Sequence, residues 1–182
     1  DLHFVSRRAY RQRAEPDWLQ ALAPPGSWLI AEGGAGPEAD VGLAALAAEL
    51  AGQTTGVVQL LLPVGSGTTF SGLVRHLPAR FSVTGVMAFH DPSLPARLAP
   101  GLCGAKARWQ LVAGVAARQH ARLSPALVQL QADFSRHEGV LLDTVYGVRM
   151  LAALPACATE NTVVMLHTGG LQGRRGHLAE VA

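Results

Sequence analysis

The stretch Val57-Val58-Gln59-Leu60-Leu61-Leu62-Pro63-Val64-Gly65-Ser66-Gly67-Thr68-Thr69 decides how this chain folds. Val57 to Pro63 is a continuous apolar run of the kind found in a strand covered on both faces. It feeds into a glycine-rich turn and then a helix through Leu77, which Pro78 closes. Phe81 to Phe89 is a second apolar run, so the segment reads as strand, glycine loop, helix, strand.

Working towards the N-terminus, a helix after Gly36 carries Leu43, Leu46, Ala47 and Leu50 at i, i+3, i+4 and i+7, with Gly52 as its stop. Trp28 to Ala31 reads as a short buried strand ahead of Glu32-Gly33-Gly34. Asp17 to Leu22 is helical and ends at Ala23-Pro24-Pro25-Gly26, and Ser6 caps a short helix before it. Leu2 and Phe4 alternate with His3, so the chain opens on what reads as a strand already under way.

Towards the C-terminus, Pro92, Pro95 and Pro100 interrupt the chain, and between His90 and Gln119 only Trp109 to Val112 is strand-like. Ser124-Pro125 is a cap and first-turn pair for a helix whose Leu127, Leu130 and Phe134 share a face, ending near Gly139. Val140 to Leu142 and Thr162 to Leu166 complete the strands, with a helix from Tyr146 to Leu154 between them. This alternation predicts an α/β fold of three layers, with a mostly parallel sheet between helices. Ligands of such sheets bind beyond the C-terminal ends of the strands.

Hydrophobic residues make up 49% of the 182 positions and charged residues 15%, which argues against a disordered chain. The net charge of +2 is carried by scattered arginines, not a run that could track a phosphate backbone, so nucleic acid is not an expected partner. Arg7, Arg8, Arg11, Arg13 and Arg174, Arg175 read as solvated faces without a binding role. Cys103 and Cys157 have no metal spacing and read as buried or inert thiols, and no metal is expected. No membrane-spanning run or signal peptide is evident, and a cytoplasmic location is expected.

Four strand ends carry glycine-rich or polar loops. Gly65-Ser66-Gly67-Thr68-Thr69 can present backbone amides and a helix N-terminus to an anion, and a plain turn with a Thr cap is the alternative. A Walker loop needs Gly-Lys-Ser/Thr where this has Gly67-Thr68-Thr69, and a dinucleotide fingerprint needs glycine in place of Phe70. A hydrolase elbow around Ser66 would need glycines where Val64 and Thr68 stand. Leu166-His167-Thr168-Gly169-Gly170 offers the Thr168 hydroxyl, or else a turn with a satisfied structural histidine. Asp143-Thr144-Val145-Tyr146 is a cap or a site, and Glu32-Gly33-Gly34 a turn or a site.

In order along the chain, Phe4-Val5-Ser6, Tyr10-Arg11, Glu15-Pro16, Glu32-Gly33-Gly34, Gly65 to Thr69, Glu138-Gly139, Leu142-Asp143, Val145-Tyr146 and His167 to Gly173 resemble one family. It is that of the 1-aminocyclopropane-1-carboxylate (ACC) deaminases and D-cysteine desulfhydrases, fold-type II pyridoxal-phosphate enzymes with a tryptophan-synthase-β-like fold. The resemblance implies that Gly65, Ser66, Gly67, Thr68 and Thr69 hold the phosphate of pyridoxal 5'-phosphate. Thr168 would lie at its ring nitrogen, Tyr146 would approach substrate and ring, and Gly33 and Gly34 would border the site. Family chemistry releases ammonia and a keto acid from a small amino acid, or sulfide, ammonia and pyruvate from D-cysteine.

The match is to the C-terminal portion of the family, and the chain reads as truncated at its N-terminus. Residues 1–35 would complete a small-domain crossover and residues 36–182 form the large cofactor-binding domain. A homodimer is expected of full-length members, and another portion carrying the missing half could complement this one. Thr144 replaces the family's proline, Gly147-Val148-Arg149 follows the tyrosine, and no Ser-Asn pair follows Gly34. The family's Schiff-base lysine and Ser-Asn-His segment are absent, and the one lysine, Lys106, reads as a surface residue. The resemblance therefore implies a chain inactive alone, and the alternative is a non-catalytic module that binds a phosphorylated small molecule.

Overall fold

The computed structural model describes residues 2–13, 15–115 and 123–174; residues 116–119 of the proline-interrupted stretch and Arg175 lie outside them. The first half runs α1 (Arg7–Tyr10), α2 (Pro16–Leu22), a 3-10 turn at Glu32–Gly34, α3 (Pro37–Gln53), β1 (Val58–Val64), α4 (Thr68–His76) and β2 (Phe81–Met87). The second half runs α5 (Leu94–Leu98), a 3-10 turn at Ala99–Leu102, β3 (Arg108–Ala113), α6 (Pro125–Glu138), α7 (Gly147–Cys157), β4 (Thr162–Met165) and a last 3-10 turn at Leu171–Arg174.

The four strands form one parallel sheet in the order β3-β2-β1-β4. All seven residues of β1 are buried, as its apolar run requires at the centre of a covered sheet. Leu60, Leu62 and Val64 face a core shared with Ala47 and Leu50 of α3 and with Phe70, Leu73 and Val74 of α4. Leu61 points the other way, onto Met150 and Ala153 of α7. The alternation of Cβ directions along one strand thus feeds both cores and gives three layers. The chain steps one way across the sheet from β1 to β2 and β3 and returns to the other side of β1 for β4.

Local chemistry explains the element ends. Ser124 Oγ accepts from the Leu127 amide at 3.4 Å, Pro125 opens α6, and Gly139 closes it in the left-handed region at φ 67°. Gly72 lets α4 approach α3 closely, because a Cβ there would lie 2.4 Å from Leu43 Cδ1. Pro63 is tolerated inside a central strand for a directional reason. Leu61 O accepts from Leu166 N while Val64 O accepts from Ala88 N, so the missing donor of Pro63 faces the β4 side. There the ladder has already ended at Leu61 and Met165.

Several sequence expectations are corrected. Leu2 to Phe4 and Trp28 to Ala31 are not strands: Leu2, Phe4, Trp28 and Ile30 are each at least 85% exposed. Alternation or an apolar run makes a strand only where another strand offers backbone partners, and none is beside these segments among the described residues. Val140 to Leu142 forms no strand, with Leu142 alone buried, and β2 ends at Met87, short of Phe89. Gly52 lies within α3 instead of ending it. The proline-rich stretch holds α5, because Pro95 sits in a first turn, where a missing amide costs nothing. Cys103 is exposed, not buried.

Candidate active site

β1 and β4 are neighbours, yet the chain reaches β2 and β3 on one side of β1 and β4 on the other. Strand order therefore reverses between β1 and β4, and loops leaving their C-terminal ends splay apart into a crevice. A cleft of about 810 Å³ occupies that position. It is lined by Gly65, Ser66, Gly67, Thr68 and Thr69 beyond β1, by Thr168, Gly169 and Gly170 beyond β4, and by Tyr146 and Gly33. They include eight of the nine residues to which the resemblance gives a role at the site. Gly34 is the exception: it does not line the cleft, and a Cβ on it would meet nothing within 4 Å.

The β1 loop is shaped by glycine where glycine is required. Gly67 has φ 95° and directly precedes α4, and the Cβ it lacks would lie 2.7 Å from Leu98 Cδ1. A Cβ on Gly33 would collide with Ser66 Oγ at 2.2 Å, so the Glu32–Gly34 turn rests against the loop. A Cβ on Gly65 would press on the Tyr146 ring at 3.2 Å. Ser71 N is the first α4 amide to bond within the helix, to Gly67 O at 2.8 Å. The amides of Thr69 and Phe70 have no acceptor among the described residues, and Thr68 N has only a long contact of 3.4 Å to Ser66 Oγ. Donors of this kind at a helix start, with the helix dipole behind them, favour an anion.

Tyr146 is held by Asp143, which is 3% exposed. Its Oδ1 accepts from Val145 N at 2.9 Å and Tyr146 N at 2.6 Å, and its Oδ2 accepts from Gly147 N at 2.6 Å. The cap reading of Asp143 is thus correct, and the cap orients a cleft residue. Phe89 supports the other side of Tyr146 edge to face, with ring centroids 5.7 Å apart. His167 is the satisfied structural histidine allowed for above. Gly169 N donates to its Nδ1 at 2.9 Å, which leaves Nε2–H to donate to Leu141 O at 2.8 Å. That pair of bonds ties the Thr168 turn to the segment leading into Asp143.

Sequence reading missed most of the charged rim: Arg13, Asp91 and Arg97 line the cleft together with Glu32 of the Glu32-Gly33-Gly34 segment. Arg13 was expected to have no binding role, but its Nε donates to Glu32 Oε2, and Tyr10 Oη donates to Glu32 Oε1 at 3.0 Å. The bond from Arg13 holds the Glu32 carboxyl below its usual range, and the bond to Glu32 raises the Tyr10 hydroxyl. Asp91 accepts from Ser93 N and Ser93 Oγ at 3.0 and 2.6 Å, and the Ser93 hydroxyl is the main reason its carboxyl is lowered. The one available signal was Asp91-Pro92-Ser93 as a helix-start pattern. Arg149, a departure from the family pattern, is buried, donates to Val115 O at 2.7 Å, and is lowered by desolvation. It does not line the cleft, and neither does Lys106, which is exposed.

No protein-family profile matches the sequence, and no curated protein does. Among solved structures, the chain is similar to one described as a crystal structure of an ACC deaminase homologue. The TM-score is 0.80 at 17% identity, over all of this chain and 62% of that one. No helix of the described residues is long and apolar enough to cross a membrane. The chain thus has the fold of an ACC deaminase homologue, a three-layer α/β architecture around a parallel sheet, as expected from its strands and helices.

Proposed function

We propose that this chain is a pyridoxal-phosphate-binding protein of the deaminase and desulfhydrase type. The observation that carries the reading is a convergence at one reversal of strand order. Donor-rich, uncharged backbone at Gly65 to Thr69 and the hydroxyl-bearing Thr168 line the same cleft, with the Tyr146 ring packed against Gly65. The residues present fit the group. The unpartnered amides opening α4 suit a phosphate, Thr168 can donate to or accept from a ring nitrogen, and Tyr146 offers a flat face and a hydroxyl.

When bound, pyridoxal phosphate supplies the electron sink for chemistry at an amino acid's α carbon. The chain's own part is to bind and orient. Gly65 to Thr69 would grip the phosphate, Thr168 would fix the ring, Gly33 would border the site, and Tyr146 would bring its hydroxyl to the substrate. Small amino acids such as ACC or D-cysteine are the proposed substrate class of the completed enzyme, releasing ammonia and a keto acid. The one lysine, Lys106, is exposed and outside the cleft, so binding by these residues alone is non-covalent and without turnover. A portion bearing a lysine would complete the site, and the assembled enzyme would be a homodimer.

Titration with pyridoxal phosphate and with pyridoxal, followed by calorimetry and absorption, tests this. The expected result is phosphate-dependent binding without a Schiff-base band and without pyruvate release from D-cysteine. Thr168→Val would weaken it severalfold. That same placement of Lys106 favours one alternative, a module binding another phosphorylated small molecule without catalysis. Stabilisation by a sugar phosphate or nucleotide but not by pyridoxal phosphate would establish it.

A further inference from the structure

We infer that Arg97 is the charged partner of the ligand's phosphate, a role outside the glycine loop that rests on the cofactor reading above. The loop itself carries no charge: Gly65, Ser66, Gly67, Thr68 and Thr69 offer amides and hydroxyls only. A phosphate ester brings close to two negative charges, which backbone dipoles offset only in part. Among the described residues lining the cleft, the cations are Arg13 and Arg97.

Arg13 is the more heavily engaged of the two. Its Nε is bonded to Glu32, its Nη1 donates to Tyr10 O at 3.4 Å, and its guanidinium lies 4.9 Å from the Tyr10 ring centroid. Arg97 has a single link, Nη2 to Asp91 Oδ2 at 3.1 Å, and its side chain is 57% exposed. A guanidinium has five N–H donors, so several remain for an anion in the cleft.

Two contacts fix where Arg97 stands. The next residue, Leu98, packs into the space that the absent Cβ of Gly67 leaves, which pins α5 to the phosphate end of the cleft rather than the ring end. Asp91 is independently satisfied by Ser93 N and Ser93 Oγ through Oδ1. Oδ2 can therefore steer Arg97 without depending on it, and Arg97 can turn to a phosphate without stranding the carboxylate.

The test measures binding of pyridoxal phosphate, pyridoxal and inorganic phosphate to the whole chain by calorimetry. The variants are Arg97→Gln, Arg97→Lys, Asp91→Asn and, as control, Arg136→Gln. Arg136 makes the same kind of exposed pair, to Asp133 at 3.1 Å, on α6 and outside the cleft. Arg97→Gln should weaken pyridoxal phosphate about fivefold, the size of one charge-assisted bond at an exposed site, and leave pyridoxal unchanged. Arg97→Lys should recover part of the loss, since it keeps charge but not the fork, and added salt should narrow the gap. Asp91→Asn should bind pyridoxal phosphate no more weakly than the parent.

Equal weakening of both pyridoxal ligands, an Asp91→Asn loss as large as that of Arg97→Gln, or a matching loss in Arg136→Gln would overturn the assignment. If the parent chain bound inorganic phosphate through Arg97 but not pyridoxal phosphate, the cofactor reading would fall and the arginine's role would stand. If it bound neither, both would fall.

Discussion

Replacing Gly67 by alanine probes the junction on which the site and its rim both depend. At φ 95° an L side chain costs about 1 to 2 kcal/mol of backbone strain. The new Cβ would also lie 2.7 Å from Leu98 Cδ1 and 3.0 Å from Cδ2. These are the far end of a flexible, half-buried side chain, so the overpacking cost belongs near the lower end of its usual range, about 1 kcal/mol. The sum, about 2 to 3 kcal/mol, is a large share of a typical ~5 to 15 kcal/mol domain stability.

The two terms separate with two further variants, all measured by urea unfolding with a shared m-value. Gly26 also has positive φ, 81°, but nothing within 4 Å of its Cβ position, so Gly26→Ala should show the backbone term alone. In the double variant Gly67→Ala, Leu98→Ala the clash disappears. The pair should then cost about 1 kcal/mol less than the sum of the singles. A Gly67→Ala loss no larger than that of Gly26→Ala, with an additive double variant, would refute the contact between α5 and the loop and with it the placement of Arg97.

Gly72→Ala should destabilise by about 1 to 2 kcal/mol although helix propensity alone favours it by ~1 kcal/mol. Besides Leu43 Cδ1, the new Cβ would meet Leu43 Cβ at 2.7 Å, which cannot swing away without moving α3; a gain in chemical denaturation would contradict this. Asp143→Ala strips the acceptor from three amides and should cost about 3 kcal/mol in chemical denaturation, with Asp143→Asn losing less because Oδ1 alone serves two of them. For Glu32 the folded carboxyl is held below its ordinary value of 4.5, chiefly by the Arg13 bond. Its stabilising contribution is therefore complete above that value and fades as pH falls through the lower folded one. An NMR titration of the Glu32 carboxyl should have its midpoint below 4.5 and return towards it in Arg13→Gln; identical midpoints would count against the latch.

Burial inside the strands was legible only in outline. The apolar run of β1 reads as covered on both faces, yet it contains Gln59, 2% exposed. Its Nε2 donates to Cys157 O at 2.6 Å and its Oε1 accepts from Thr159 N at 3.1 Å. Those partners lie about a hundred positions along the chain, so periodicity cannot announce them.

By itself the sequence determined what short-range chemistry governs: the β1, glycine turn, α4, β2 unit, α6 between Ser124 and Gly139, and α/β layering. Apolar runs, caps and glycine turns act within a few residues of backbone, so reading them needs no knowledge of neighbours. Tertiary structure alone decided that Leu2 to Phe4, Trp28 to Ala31 and Val140 to Leu142 are not strands, that β4 lies beside β1, and that Arg13, Glu32, Asp91 and Arg97 meet at one rim. A strand exists only where a partner supplies the other half of its hydrogen bonds, and a charge joins a site only where the folded chain brings it.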